Sequence, residues 1–204
     1  MLKTLVSFVF ATAILAISPG PDNIFVLTQS ITYGKKQGLA TVAGLLTGCL
    51  VHTTLVAFGV SAILTQHKNL FFILKLFGSG YLLYLAYKAY TSNAQITFSA
   101  DTQKKKSAIT LYKTGFWMNV LNPKVTIFFL AFFPQFLFSK TLSPIIQFYI
   151  LGAIFIIVSF LIFATIAVLS ATIARYIKQH TTVNIYLKWM QIVVFILIAV
   201  FIIL

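Results

Sequence analysis

Residues 18–23 read SPGPDN, and they interrupt an apolar run that begins near Leu5 and resumes at once as IFVL (24–27). Two prolines, a glycine and an acid are residues that a continuous membrane-spanning helix avoids. The chain has only two acidic residues, and one of them, Asp22, stands here. A second interruption, LNPKV (121–125), lies in another apolar run. Placing Pro21 over Pro123 sets the two at an offset of 102, half of the 204 residues.

The surrounding composition fixes the class. Hydrophobic residues make up 60% of the chain, and the mean hydropathy is +0.99. A soluble domain carries closer to 45–50% apolar residues, roughly. Apolar stretches of bilayer-crossing length recur throughout. Runs such as IVVFILIAVFIIL (192–204) do not alternate, which excludes a β-barrel. The expected fold is an all-α polytopic membrane protein with six spans, at about 4–30, 39–65, 70–91, 113–138, 143–174 and 186–204. The fifth run is long enough to tilt or to pass the membrane surface. MLKTLVSFVFATAILA (1–16) has the makings of a signal peptide, but apolarity resumes directly after SPGPDN, so it reads as the first half of a span.

The net charge of +13 comes from fifteen bases spread thinly between apolar runs, with KKK (104–106) the one cluster. That pattern follows the positive-inside rule and not a nucleic-acid face. The odd-numbered loops hold ten bases: Lys35, Lys36, Lys88, Lys104, Lys105, Lys106, Lys113, Arg175, Lys178 and Lys188. The other side holds Lys3, Lys68, Lys75 and Lys140. Odd loops are therefore expected in the cytoplasm and both termini outside it.

Each interruption opens the first helix of a three-helix set, 1–91 and 113–204, separated by a polar cytoplasmic loop at 92–112 that contains Asp101. Three is odd, so the second set must run opposite to the first. One transmembrane domain of two inverted repeats with broken helices 1 and 4 is expected, with its site at the breaks. Proline is tolerated in the first turn of a helix, where its missing N–H had no intrahelical partner. Asn122 before Pro123, and Ser18 or Gly20 before Pro19 or Pro21, suit the N-cap. Each motif thus restarts a helix in mid-span and leaves free N–H groups that attract an anion such as a carboxylate. Asp22 is well placed at such an end. Lys124, at the equivalent position, calls for a negative partner, either Asp22 or a bound carboxylate.

At these residues the chain resembles a known family. SPGPDNIFVLTQSITYGKKQGLATVAGLLTGCLVHTTLVAFGVSAIL (18–64), LKLFGSGYLLYLAYKAY (74–90) and GFWMNVLNPKVTIFFLAFFPQF (115–136) are similar to the lysine exporter / homoserine-threonine exporter family of bacterial inner-membrane proteins. The resemblance covers roughly residues 5–180. It implies a secondary exporter of a small zwitterionic amino acid or derivative across the inner membrane, coupled to proton antiport. Ser18, Pro19, Gly20, Pro21 and Asp22 match its first motif, and Asn122, Pro123 and Lys124 its second. The family's last helix usually carries glycines, and IYLKWMQIVVFILIAVFIIL (185–204) has none.

Other features carry less. His52, within the second span, is a candidate for proton relay or substrate contact, or a packing residue. Gln29 is a polar candidate for the pathway. Tyr81, Tyr84, Tyr87 and Tyr90 repeat every three residues, the later ones suiting an interfacial belt and Tyr81 a cavity or that same belt. Gly44 and Gly48 permit close helix approach, within the chain or across a homo-oligomer. Gly34 and Gly38 read as turn and helix-start residues, and Gly78 and Gly80 as packing or kink positions. Cys49 is the single cysteine, which excludes disulfides and paired-thiol electron transfer. No His, Cys and acid set has metal-ligand spacing. Neither a cofactor nor an enzymatic activity is expected. The alternative function is cation or metal efflux, for which hard-oxygen or imidazole ligands are scarce.

Overall fold

The computed structural model describes residues 1–62, 68–92, 106–180 and 182–204. Most of the 92–112 loop, with Asp101, Lys104 and Lys105, lies outside the described residues, as does His67. Every described element is helical: α1 (Leu2–Ile17), α2 (Pro21–Tyr33), α3 (Lys35–Leu55), α4 (Lys68–Thr91), α5 (Ala108–Val120), α6 (Pro123–Phe132), α7 (Pro144–Val168), α8 (Ser170–Gln179) and α9 (Thr182–Ile203). A π-turn at Val56–Val60 extends α3, and a 3-10 turn at Phe133–Phe136 extends α6.

Among the described residues, four helical segments are long and apolar enough to cross a membrane alone, and two bent pairs of helices are so together. α1 and α2 meet at 58° across Ser18–Gly20, and α5 and α6 at 52° across Leu121–Asn122. Six spans follow when each bent pair counts as one. The fifth differs from the 143–174 run expected: α7 ends at Val168, and α8 forms a separate ten-residue helix. Its SATIARYIKQ sequence mixes charges with the buried Ala174 and Ile177, so it has a polar side that the span lacks.

Lipid is as apolar as leucine, so these helices associate through close packing and polar contacts. The most extensive pairing is α3 with α5. A Cβ at Gly44 would run into the Tyr112 carbonyl, one at Gly48 into the Asn119 side chain, and one at Gly115 would stand 2.5 Å from the Thr41 carbonyl. The small residues therefore serve contact within the chain. Gly78 presses on Ala131, whereas Gly80 faces open space, and Gly38 packs against Ser30. Gly34 makes the turn between α2 and α3 with φ at 94°. α9, which lacks glycine, packs against α4 through a small residue on the other side: Ser79 Oγ donates to the Ala199 carbonyl at 2.9 Å.

An aromatic column fills the centre. Phe128 stacks on Phe132 at 4.5 Å and Phe129 on Phe133 at 4.1 Å, while Phe8 of α1 meets Phe133 edge-on at 5.1 Å. The link from α6 to α7 is held by one buried side chain. Gln147 Oε1 accepts from Phe138 N (2.7 Å) and Ser139 N (2.9 Å), and its Nε2 donates to the Ser139 (2.9 Å) and Leu142 (2.8 Å) carbonyls.

Candidate functional site

Both breaks are built by their prolines. Pro21 and Pro123 stand in the first turns of α2 and α6, with Gly20 and Asn122 as N-caps in extended conformation. Asn122 Oδ1 accepts from Lys124 N at 3.0 Å, which closes one of the first-turn donors. Gly20 has no side chain to do the same. Among the described residues, the N–H groups of Asp22, Asn23 and Val125 have no hydrogen-bond partner. The ends left by α1 and α5 are closed differently. Asn23 Nδ2 donates back to the Ala16 carbonyl at 2.7 Å, and the Asn119 carbonyl receives both Asn122 N (3.0 Å) and His52 Nε2 (3.1 Å). A carbonyl only accepts, so His52 carries its proton on Nε2.

The two restarted helices meet at their N-termini. Asn122 Nδ2 donates to Asp22 Oδ1 at 3.3 Å, linking positions 100 residues apart. Lys124 crosses the other way: a Cβ on Gly20 would stand 3.0 Å from its Nζ, which also lies over the Phe195 ring at 4.7 Å. Asp22 and Lys124 do not touch as an ion pair. Each instead reaches the N-cap of the opposite half-helix.

Between them is a cavity of about 40 Å³. Its polar lining comprises Asp22, Asn23, Cys49, Asn119, Lys124 and Ser159, and its walls are apolar, with Phe128, Phe155 and Phe163 prominent. The volume holds a few waters, given roughly 10–15 Å³ needed for each.

Of the expected site residues, Asp22 and Lys124 line this cavity. Ser18, Gly20, Pro21, Asn122 and Pro123 shape the breaks without lining it. Pro19 borders a separate, apolar cavity of about 110 Å³ with Ile24 and Ile166. His52 lies behind the wall, bonded to Asn119 and 5.5 Å from the Phe129 ring. Gln29 is buried, its Oε1 without a partner among the described residues, and stands away from the cavity. Tyr81 is half-buried beside Tyr84 at 6.0 Å, outside the lining, and Tyr84, Tyr87 and Tyr90 are exposed. Among the described residues, no three of His, Cys, Asp and Glu gather as a metal set.

Sequence reasoning did not single out Asn23, Asn119 or Ser159. Asn23 is the last residue of the SPGPDN stretch, Asn119 precedes the second break, and Ser159 is an isolated hydroxyl in the apolar stretch IIVSFLIF (156–163). Asn119 also accepts from Cys49 Sγ at 3.7 Å, tying α5 to α3 just before the break.

Comparison with known proteins gives a consistent result. The family model for LysE type translocators matches residues 13–204. Over 172 residues the chain is 31% identical to the homoserine/homoserine lactone efflux protein of Salmonella typhimurium (strain LT2), spanning 84% of this chain and 82% of that one. It is 28% identical, with the same coverage, to the leucine efflux protein of Enterobacter sp. (strain 638). An uncharacterized membrane protein of Vibrio cholerae is 26% identical over 173 residues, 85% of this chain and 83% of that one. No solved structure matches the chain.

Proposed function

The chain belongs to the LysE type translocator family of membrane transporters, and on that premise we propose that it exports a small amino acid from the cytoplasm by proton antiport. The observation that carries this reading is the meeting of two half-helix N-termini, joined by the Asn122–Asp22 bond, with Lys124 beside the first. The free N–H groups of Asp22, Asn23 and Val125, together with Lys124, offer a carboxylate its donors. Asp22 offers the ammonium group its counter-charge. A cavity of water size must widen to take such a cargo, and the two bends are where the spans can change angle.

In this scheme residues 1–91 and 113–204 are inverted repeats around one site, the odd loops face the cytoplasm, and Asp22 alternates between cargo ammonium and proton. The support for the repeat is the pair of bends, 58° and 52°, each opening on a proline. Efflux from proteoliposomes loaded with a panel of amino acids, with and without a pH gradient, tests the function. Gradient-stimulated efflux of one or more is expected. Absence of efflux for every amino acid refutes export, and efflux indifferent to the gradient refutes the coupling. Asp22→Asn is expected to fold and to lose gradient-driven efflux, and normal gradient-driven export by that variant removes Asp22 as the proton carrier.

A further inference from the structure

Hydroxyls on the helices of this chain have a habit. Ser30, Thr41, Thr47, Thr53, Thr54 and Thr165 all donate to the carbonyl four residues back, the ordinary way to satisfy a hydroxyl in an apolar setting. Ser159 breaks the habit. It is 1% exposed, its Oγ has no hydrogen-bond partner among the described residues, and it lines the cavity that holds Asp22 and Lys124. Thr12 and Ser18 are also buried without partners among the described residues, but neither lines that cavity.

The packing register explains where Ser159 points. Gly152 of α7 packs on Thr53 of α3, and Ala167 packs on Gly38, so the two helices run antiparallel. Position 159 then falls opposite the Leu45–Cys49 turn, and Cys49 lines the same cavity. One turn to either side on α7, Phe155 and Phe163 complete a slot that is aromatic at both ends with one hydroxyl between. An aliphatic side chain in that slot leaves the hydroxyl unpaired in an apolar place, while a hydroxylated one satisfies it.

We propose that Ser159 is a specificity-determining residue: its hydroxyl bonds a polar group on the cargo's side chain and selects small hydroxylated amino acids over aliphatic ones of equal size. This rests on reading the cavity as the substrate site. The test uses the full chain in proteoliposomes and two near-isosteric pairs, L-threonine with L-valine and L-homoserine with L-norvaline. The wild type is expected to export the hydroxylated member of each pair faster. Ser159→Ala should cut that preference about tenfold, the scale of one hydrogen bond. Ser159→Thr, which keeps the hydroxyl, should restore it. An unchanged ratio in Ser159→Ala, an equal loss for both members, or a wild type that favours the aliphatic member overturns the proposal.

Lys124→Met in the same proteoliposomes, checked by its unfolding profile in detergent, separates this from failure of the underlying reading. Loss of all export by a folded Lys124→Met with an unmoved ratio in Ser159→Ala refutes Ser159 alone. Normal export by Lys124→Met refutes the cavity as the substrate site and the proposal with it, and a wild type that exports other amino acids but neither pair refutes Ser159 as a selector of hydroxylated cargo.

Discussion

At Asn122 a single side chain has two partners: Oδ1 caps α6 through Lys124 N, and Nδ2 holds Asp22 Oδ1. Asn122→Ala should cost about 1 kcal/mol in thermal unfolding in detergent from the cap alone, and should impair export further by releasing the carboxylate. Asn122→Ser, which keeps an N-cap oxygen but loses the amide that donates to Asp22, should retain most of the stability and still lose transport. Ser159→Ala presents the opposite balance. Removing a buried hydroxyl that has no protein partner among the described residues should leave the cargo-free protein at least as stable, because no protein hydrogen bond is lost. A loss of thermal stability in that variant would show that the hydroxyl has a partner in the empty protein. Asp22, Asn122 and Lys124 were legible in the sequence because proline fixes where each helix restarts, and position in the first turn follows. Asn23, Asn119 and Ser159 were not. Whether a polar residue faces a cavity depends on helix rotation, and helices apolar on every side carry no periodic signal to set it: Leu197 and Ile198 are neighbours, one exposed and one buried.

Among the elements, the breaks and spans could be read from composition, while the contacts that lock them could not. Gln147 stands in an apolar helix with nothing nearby in sequence to announce its four partners in the α6–α7 link. Gln147→Leu should destabilise by roughly 3 kcal/mol, since several buried backbone groups lose their partner at once. Unfolding curves in detergent that coincide with the wild type would refute this. Gly115→Val should separate α3 from α5, because even a Cβ there meets the Thr41 carbonyl. It should lower both the unfolding temperature and transport, whereas Gly80→Ala, which faces open space, should change neither. The division of the fifth run after Val168 escaped the sequence reading because hydropathy falls gradually there, and no proline or glycine marks the junction.

On the scale of the whole molecule, fifteen bases against two acids give a strongly asymmetric charge, and their placement predicts a cytoplasmic face on the odd loops. A cysteine added after Leu204 in a Cys49→Ser background should react with an impermeant maleimide from outside intact cells. Labelling only after the membrane is opened would reverse the orientation. Inside the bundle the balance is different. The cavity holds one acid and one base, so their formal charges cancel, and a zwitterion entering it adds none. A loaded carrier of that composition moves no net charge through the membrane field, and its outward step is blind to voltage. With Asp22→Asn the same loaded cavity carries a single positive charge, on which every 100 mV acts with about 2.3 kcal/mol. Voltage, negative inside, would then hold the loaded form back from the outer face. On the proposed export of a zwitterion, the acid that interrupts the first span would keep the membrane's electric field from opposing the outward step.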